Sequence, residues 1–121
     1  MKKLQISVIF VMLAFFMAFA ASPISGTLAR KIDDGSSVIV DFIFTNNGTK
    51  TIKAFDCVLK FYVQEEMIYE IKLGGVKNHS GAPTATDESF FFRASLPVTN
   101  QGLVNASIEQ INLVVDVTKT Y

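Results

Sequence analysis

From Val38 onward the chain alternates apolar and polar residues at period two, and no apolar stripe at helical spacing competes with it. Such alternation sends successive side chains to opposite faces of a strand, one toward a core and the other toward solvent. Val38, Val40, Phe42 and Phe44 share one face of a first run. That run ends at Asn46-Asn47-Gly48, residue types that accept positive φ and so mark a turn. A second run covers Ile52 to Val63, with Phe55, Cys57, Leu59 and Phe61 inward. Ile52 and Ala54 are out of phase with it, which predicts a β-bulge near Lys53-Ala54. Beyond the polar link Gln64-Glu65-Glu66, the residues Met67, Tyr69, Ile71 and Leu73 resume the inward face. The two runs therefore read as an antiparallel hairpin. Gly74-Gly75 closes it and opens a polar loop through Asp87, interrupted at most by a short edge strand near Val76. Ser89 to Leu96 is the next strand, with Phe90, Phe92, Ala94 and Leu96 inward and Pro97 as its stop. Asn100-Gln101-Gly102 reads as a turn, and the last strand runs from about Ala106 to Lys119 with Ile111, Leu113, Val115 and Val117 on one face. Thr27 to Ile32 is a candidate first edge strand. Short strands spaced by turns in this way predict an all-β fold, an immunoglobulin-like antiparallel β-sandwich of about 6–7 strands. A small closed barrel is the alternative.

The N-terminus follows a different rule. Met1-Lys2-Lys3 is positive, Ile6 to Phe19 is apolar apart from Ser7, and Ala18, Ala20 and Ala21 are small. That order is the signature of a secretory signal helix, with cleavage expected after Ala20. The rival reading is an uncleaved membrane anchor; a spanning helix needs ~20 apolar residues, and polar Ser22, Pro23 and Ser25 follow the stretch at once. The expected organisation is a signal peptide over 1–20, an N-terminal segment with the candidate edge strand over 21–35, and the sandwich over 36–121. The product is expected to be exported, periplasmic or extracellular, and the Met-Lys-Lys opening has a bacterial look.

Removing the signal changes the composition. The hydrophobic share of 50% and the mean hydropathy of +0.36 are inflated by it, as Phe10, Phe15, Phe16 and Phe19 all lie there. Lys2 and Lys3 leave with it, so the 11 basic residues of the whole chain become 9 against 11 acidic ones, a net charge of −2. With no basic cluster, nucleic acid is excluded as the expected partner, and a membrane is contacted only through an uncleaved signal. Cys57 is the only cysteine, so no internal disulfide can form. It reads as a buried small hydrophobe; pairing with another chain is the alternative.

Asn46-Asn47-Gly48-Thr49-Lys50-Thr51-Ile52-Lys53-Ala54-Phe55, then Leu59-Lys60-Phe61-Tyr62, resembles the small bacterial exported and lipoprotein-type immunoglobulin-like domains called FxLYD-like. In those, an Asn-rich turn precedes a K-x-I-x-A segment and an apolar-x-aromatic-Tyr-Asp strand end. Asp87-Glu88-Ser89-Phe90 resembles the entry to their next long strand. The likeness covers about the middle half of the mature chain. Here Val63 replaces the usual Asp, and Gln64-Glu65-Glu66 lacks the usual glycine. The resemblance implies a fold and carries over no site.

Candidate chemistry is sparse. His79, the only histidine, sits between Asn78 and Ser80-Gly81 in a polar loop, far in sequence from Cys57; a metal site needs three or four ligands. No G-x-S-x-G nucleophile elbow is present. Asp33-Asp34 and Glu65-Glu66 are adjacent pairs in expected turns, whereas glycosidase carboxylates face each other across a cleft. Asn47, Asn78 and Asn105 each begin an N-glycosylation sequon, read as coincidence beside a bacterial-looking signal. Phe91, Ile43, Val58 and Tyr62 all fall on the face opposite the core and are candidates for an apolar interaction patch, the alternative being that this face is covered by the first segment, a loop or the second sheet. No catalytic residue, metal ligand or cofactor is assigned. The expectation is a non-catalytic exported module that binds another envelope or extracellular protein through a sheet face or a strand edge, the last strand being a candidate for β-augmentation. The alternative is a small-ligand or carbohydrate-binding domain that stacks its ligand on Tyr62, Tyr69 or Phe91.

Overall fold

The computed structural model describes residues 22–97 and 101–121. The expected signal peptide over 1–20 and the expected cleavage residues Ala18, Ala20 and Ala21 lie outside the described residues, as does Asn100. The elements in chain order are β1 (Ile24–Asp33), β2 (Ser37–Asn46), β3 (Phe55–Val63), β4 (Glu66–Val76), β5 (Ser89–Pro97), α1 (Gln101–Asn105), a 3-10 turn (Ile108–Gln110) and β6 (Ile111–Thr120). They form two three-stranded antiparallel sheets, ordered β1-β2-β5 and β4-β3-β6, packed face to face as a β-sandwich. β2 and β3 are the central strands, so the two runs with the clearest alternation form the middle of the fold.

Their inward faces are the core. Val38, Val40, Phe42, Phe44, Leu59 and Phe61 have no exposed surface, and each such side chain stabilises the fold by about 1.5–3 kcal/mol. Phe44 is the hub of the aromatic packing. It stacks on Phe42 at 5.4 Å, meets Phe55 edge-on at 5.4 Å and leans on Phe90 at 5.7 Å. Such tilted and edge-on arrangements suit the ring quadrupole.

The elements depart from strict alternation where the backbone bulges. Ile52 does not extend β3, and Lys53-Ala54 is no bulge within a strand. Instead Ile52 exchanges both backbone hydrogen bonds with Thr84, at 3.0 and 2.8 Å, so the phase break marks a change of partner. Met67 is turned outward, because Phe61 pairs with Tyr69 and Tyr62 with Met67, which leaves Ile68 as the extra residue packed on the core. Gly74-Gly75 does not end the hairpin: the two glycines lie opposite Asp56 as a second bulge, and β4 continues to Val76, which is fully buried. Gly75 sits at φ +62, and its N–H donates to Asp56 Oδ1 at 2.8 Å. In the β3–β4 turn Gln64 takes φ 56, a conformation that glycine adopts at no steric cost. Gln101-Gly102 belongs to α1 and is not a plain turn, and β6 starts at Ile111 and not near Ala106. Leu103 and Ala106 anchor this segment to the core, and Lys31 Nζ donates to the carbonyls of Leu103 and Val104 at 2.9 and 2.7 Å. A cation there meets the helix's unpaired C-terminal carbonyls.

The two flanks of the sandwich are unlike. On one side β1 packs beside β6, Ser22 Oγ donates to the Val115 carbonyl at 2.8 Å, and a methyl added at Gly26 would lie 2.9 Å from Val115 Cγ2. That flank is shut. On the other side β4 and β5 make no comparable approach, and their inward-facing Tyr69, Ile71, Leu73, Phe92 and Ala94 are only half-buried.

Asn46 ties the β2–β3 and β4–β5 crossovers together. Fully buried, it donates from Nδ2 to the carbonyls of Lys50 (2.8 Å) and Thr84 (2.9 Å), and its Oδ1 accepts from Gly48 N–H (2.9 Å). Its backbone N–H donates to Glu88 and its carbonyl accepts from Asp87 N–H. Asn46→Ala leaves buried carbonyls and an N–H without partners, so it is expected to lower stability by about 2–3 kcal/mol in urea titration. Cys57 lies in β3 at 2% exposure, and burial, helped by Asp56 and Asp116, pushes its thiol up to about 12. Disulfide exchange needs an accessible thiolate, so Cys57 is expected to stay unlabelled by Ellman's reagent at pH 8 until denaturant is added. Rapid native labelling would contradict this burial.

Candidate functional site

The outer face of the β1-β2-β5 sheet is set by register. Across β2 and β5, Asp41 faces Arg93, Ile43 faces Phe91 and Thr45 faces Ser89. Because the inward rail carries Phe42, Phe44, Phe90 and Phe92, the intervening residues must point away from the core. Arg93 grips Asp41 with both prongs, Nε to Oδ1 at 2.6 Å and a terminal nitrogen to Oδ2 at 3.1 Å. Thr45 Oγ1 and Ser89 Oγ are hydrogen-bonded at 2.8 Å. Between these two polar pairs lies Ile43, half-buried beside Phe91, whose ring is 67% exposed.

At the open flank the β5 edge borders a groove of ≈ 650 Å³, within the range of small-molecule sites. Phe91, Phe92 and Arg93 form one wall, and Lys77, Asn78 and His79 of the loop after β4 form the other. Asp41 and Gly75 complete it. The groove therefore offers an exposed ring, a guanidinium already fixed by its carboxylate, an ammonium and an imidazole. These are groups for contact. Asp41 is the only carboxylate in the lining, and the Arg93 guanidinium bonded to it holds its carboxyl below the usual range.

The expected patch of four residues is divided. Ile43 and Phe91 are cross-strand neighbours on one sheet. Val58 and Tyr62 lie on β3, where Phe55, Cys57, Leu59 and Phe61 face inward, so they occupy the outer face of the other sheet. The two pairs therefore stand on opposite sides of the sandwich and form no common surface. Tyr62 pairs across strands with exposed Met67, and Val58 lies beside the Lys60–Asp116 pair at 3.9 Å, an exposed ion pair that contributes little.

The remaining candidates are scattered. Asp33 and Asp34 build the β1–β2 turn: Asp33 Oδ1 accepts from Gly35 N–H, and Asp34 Oδ1 accepts from the N–H groups of Ser36 and Ser37. Glu65 and Glu66 are exposed at the β3–β4 turn. Asn47 Nδ2 donates to Ser25 Oγ, Asn78 Oδ1 accepts from Ser80 N–H, and Asn105 is the exposed last residue of α1. Among the described residues no cluster of three or more His, Cys, Asp or Glu is placed to hold a metal ion. At the β6 edge Ser22 Oγ donates to the Val115 carbonyl, and β1 of the other sheet lies close by. No protein-family model, curated protein or solved structure matches the chain.

Three surface carboxyls are held below their ordinary range. Ser37 N–H lowers Asp34, Arg93 lowers Asp41, and Gly75 N–H followed by the Tyr121 hydroxyl lowers Asp56. Each binds its proton more weakly folded than unfolded. Its contribution to stability is complete above the ordinary Asp range near pH ~4 and is lost as pH falls through the folded value. The urea midpoint is therefore expected to hold near neutrality and to fall below about pH 4. Asp41→Asn is expected to make that fall shallower; an unchanged acid limb in this variant would show that the Asp41–Arg93 pair contributes nothing.

Proposed function

We propose that the chain is an exported, non-catalytic module of immunoglobulin-like arrangement that engages another envelope or extracellular protein through its β5 flank. The observation that carries this reading is Phe91, 67% exposed on an edge strand and seated beside Ile43 above the groove. A large ring held in water by a rigid strand is a ready anchor for a partner. The immunoglobulin-like arrangement is supported by the connectivity. β2 pairs with β5 and β3 with β6, while the chain crosses between sheets from β2 to β3, from β4 to β5 and from β5 to β6, which is Greek-key order. The likeness of the Asn46 turn and the β3 segment to FxLYD-like domains supports the same arrangement. The charged start, apolar stretch and small residues before Ser22 support export.

A second reading has its own observation. The groove sets the Phe91 ring beside His79, Asn78 and Lys77, the mix of stacking surface and polar groups that a carbohydrate or other small ligand uses. Tyr62 and Tyr69 do not join it, the first lying on the other sheet's outer face and the second facing the sandwich interior.

Capture from envelope and extracellular extracts by the tagged chain, beside a glycan array, separates the two readings. The expected outcome is a specific protein retained by the wild type and lost with Phe91→Lys. Glycan binding lost with the same variant, and no protein retained, would replace the leading reading with the second.

A further inference from the structure

The sandwich has four edge strands, and three of them are broken. Ala29 bulges β1 between Leu28 and Arg30, β4 is interrupted at Ile68 and at Gly74-Gly75, and Thr118 bulges β6 between Val117 and Lys119. Bulges twist an edge away from docking and are a common guard against strand pairing. β5 alone pairs without a register shift, from Ser89 opposite Thr45 to Pro97 opposite Ser37. Among the described residues no strand pairs with its outer edge; the loop of Lys77, Asn78 and His79 faces it across the groove. The strand also reads Ser-Phe-Phe-Phe-Arg-Ala-Ser, rich in β-forming aromatics and without lysine. An unguarded edge of this composition is a pairing surface.

We propose that the occupant of this edge is a second copy of the chain, joined β5 to β5 in antiparallel register about a twofold axis at Phe92. This rests on the reading of the β5 flank as an interaction surface and names the partner. The strand is self-complementary in that register. Phe91 falls opposite Arg93 of the partner subunit twice over, which places a guanidinium over a ring on the outer face. On the inner face Phe90 falls opposite Ala94 of the partner subunit, and Phe92 meets Phe92 of the partner subunit. Phe92 and Ala94 are half-buried inward residues of the open flank, whereas Phe90 is already buried in the core. The pairing extends from Ser89 to Ser95. Moving the axis to Arg93 sets like charges directly opposite, which is destabilising, and moving it to Phe91 shortens the paired stretch to Ser89 through Arg93. The outcome is a continuous six-stranded sheet built from two three-stranded ones. An edge contact of this kind falls short of the roughly 800 Å² per partner of a standard interface, so half-association is expected at roughly 10–100 μM.

Two measurements on the full chain test it. Sedimentation equilibrium from about 1 μM to 1 mM is expected to show the mass rising from monomer to dimer. Phe91→Lys, which sets an ammonium opposite Arg93 of the partner subunit, is expected to weaken association by roughly tenfold or more. Oxidation of Phe92→Cys is expected to give a disulfide-linked dimer, since opposed residues at the axis lie within disulfide reach. Arg93→Cys is expected to link poorly, and the wild type, with Cys57 sealed in β3, not at all. Monomer throughout, with Phe92→Cys unlinked, would overturn the inference and leave the capture of a different protein as a separate result. A dimer indifferent to Phe91→Lys, or linked faster through Arg93→Cys, would overturn the placement or the register.

Discussion

The side chain of Asn46 is the constraint on which the rest of the arrangement depends. A sandwich of this connectivity must cross from sheet to sheet after β2 and return before β5, and both crossings pass the same end of the molecule. Each crossing leaves backbone groups that the ladders cannot satisfy, and a buried amide or carbonyl without a partner is costly. Asn46 answers both at once, holding the outgoing turn through Lys50 and Gly48 and the returning segment through Thr84, Asp87 and Glu88. Only an amide can donate twice and accept on one short side chain. Aspartate has the acceptor alone, and leucine has neither. The returning segment then enters β5 with Ser89 opposite Thr45, so the register that places Phe91 beside Ile43 starts at this residue.

From that register follows the division of the surface. Inward residues of β2 and β5 fill the aromatic core, and their neighbours emerge as alternating polar and apolar cross-strand pairs on one outer face. The Asp41–Arg93 pair is exposed on its arginine side, so its value lies in fixing the guanidinium and not in strength. The closed flank beside β6 and the open flank beside β4 are equally consequences of backbone. Gly26 lets β1 come close to Val115, whereas the glycines of β4, Gly74 and Gly75, have no atom of β5 near them.

Much of this was legible in the order of residues, for a physical reason. A strand buried on one face alternates, and in β2 and β3, the central strands, burial alternates without exception from Val38 to Phe44 and from Phe55 to Phe61, even though Ile39, Ile43 and Val58 put apolar residues on the outer side. Edges are less constrained. β1 contributes Ile24, Gly26 and Leu28 to the inner side and then bulges, so its pattern is faint. Ile68 inverts the phase of β4 at its start, and nothing local in Met67-Ile68-Tyr69 announces it. Five residues of α1 are too few for a helical period to show; the spacing of Leu103 and Ala106 is the one sign it left. The outward patch failed for another reason. Alternation says which residues share a face of one strand, but not to which sheet the strand belongs, and the sheet is decided by long-range pairing. Val58 and Phe91 point outward equally well, in opposite directions.

The position of Cys57 has a consequence for how the protein matures. A lone thiol has no second cysteine to pair with in this chain, and in the folded sandwich it is shut within the central strand of its sheet, so no internal disulfide forms or reshuffles. Thiol pairing takes seconds to hours and depends on oxidants and isomerases. Folding of this sandwich has no disulfide-pairing step to wait for. Forming the native sandwich draws on no supply of electron acceptors.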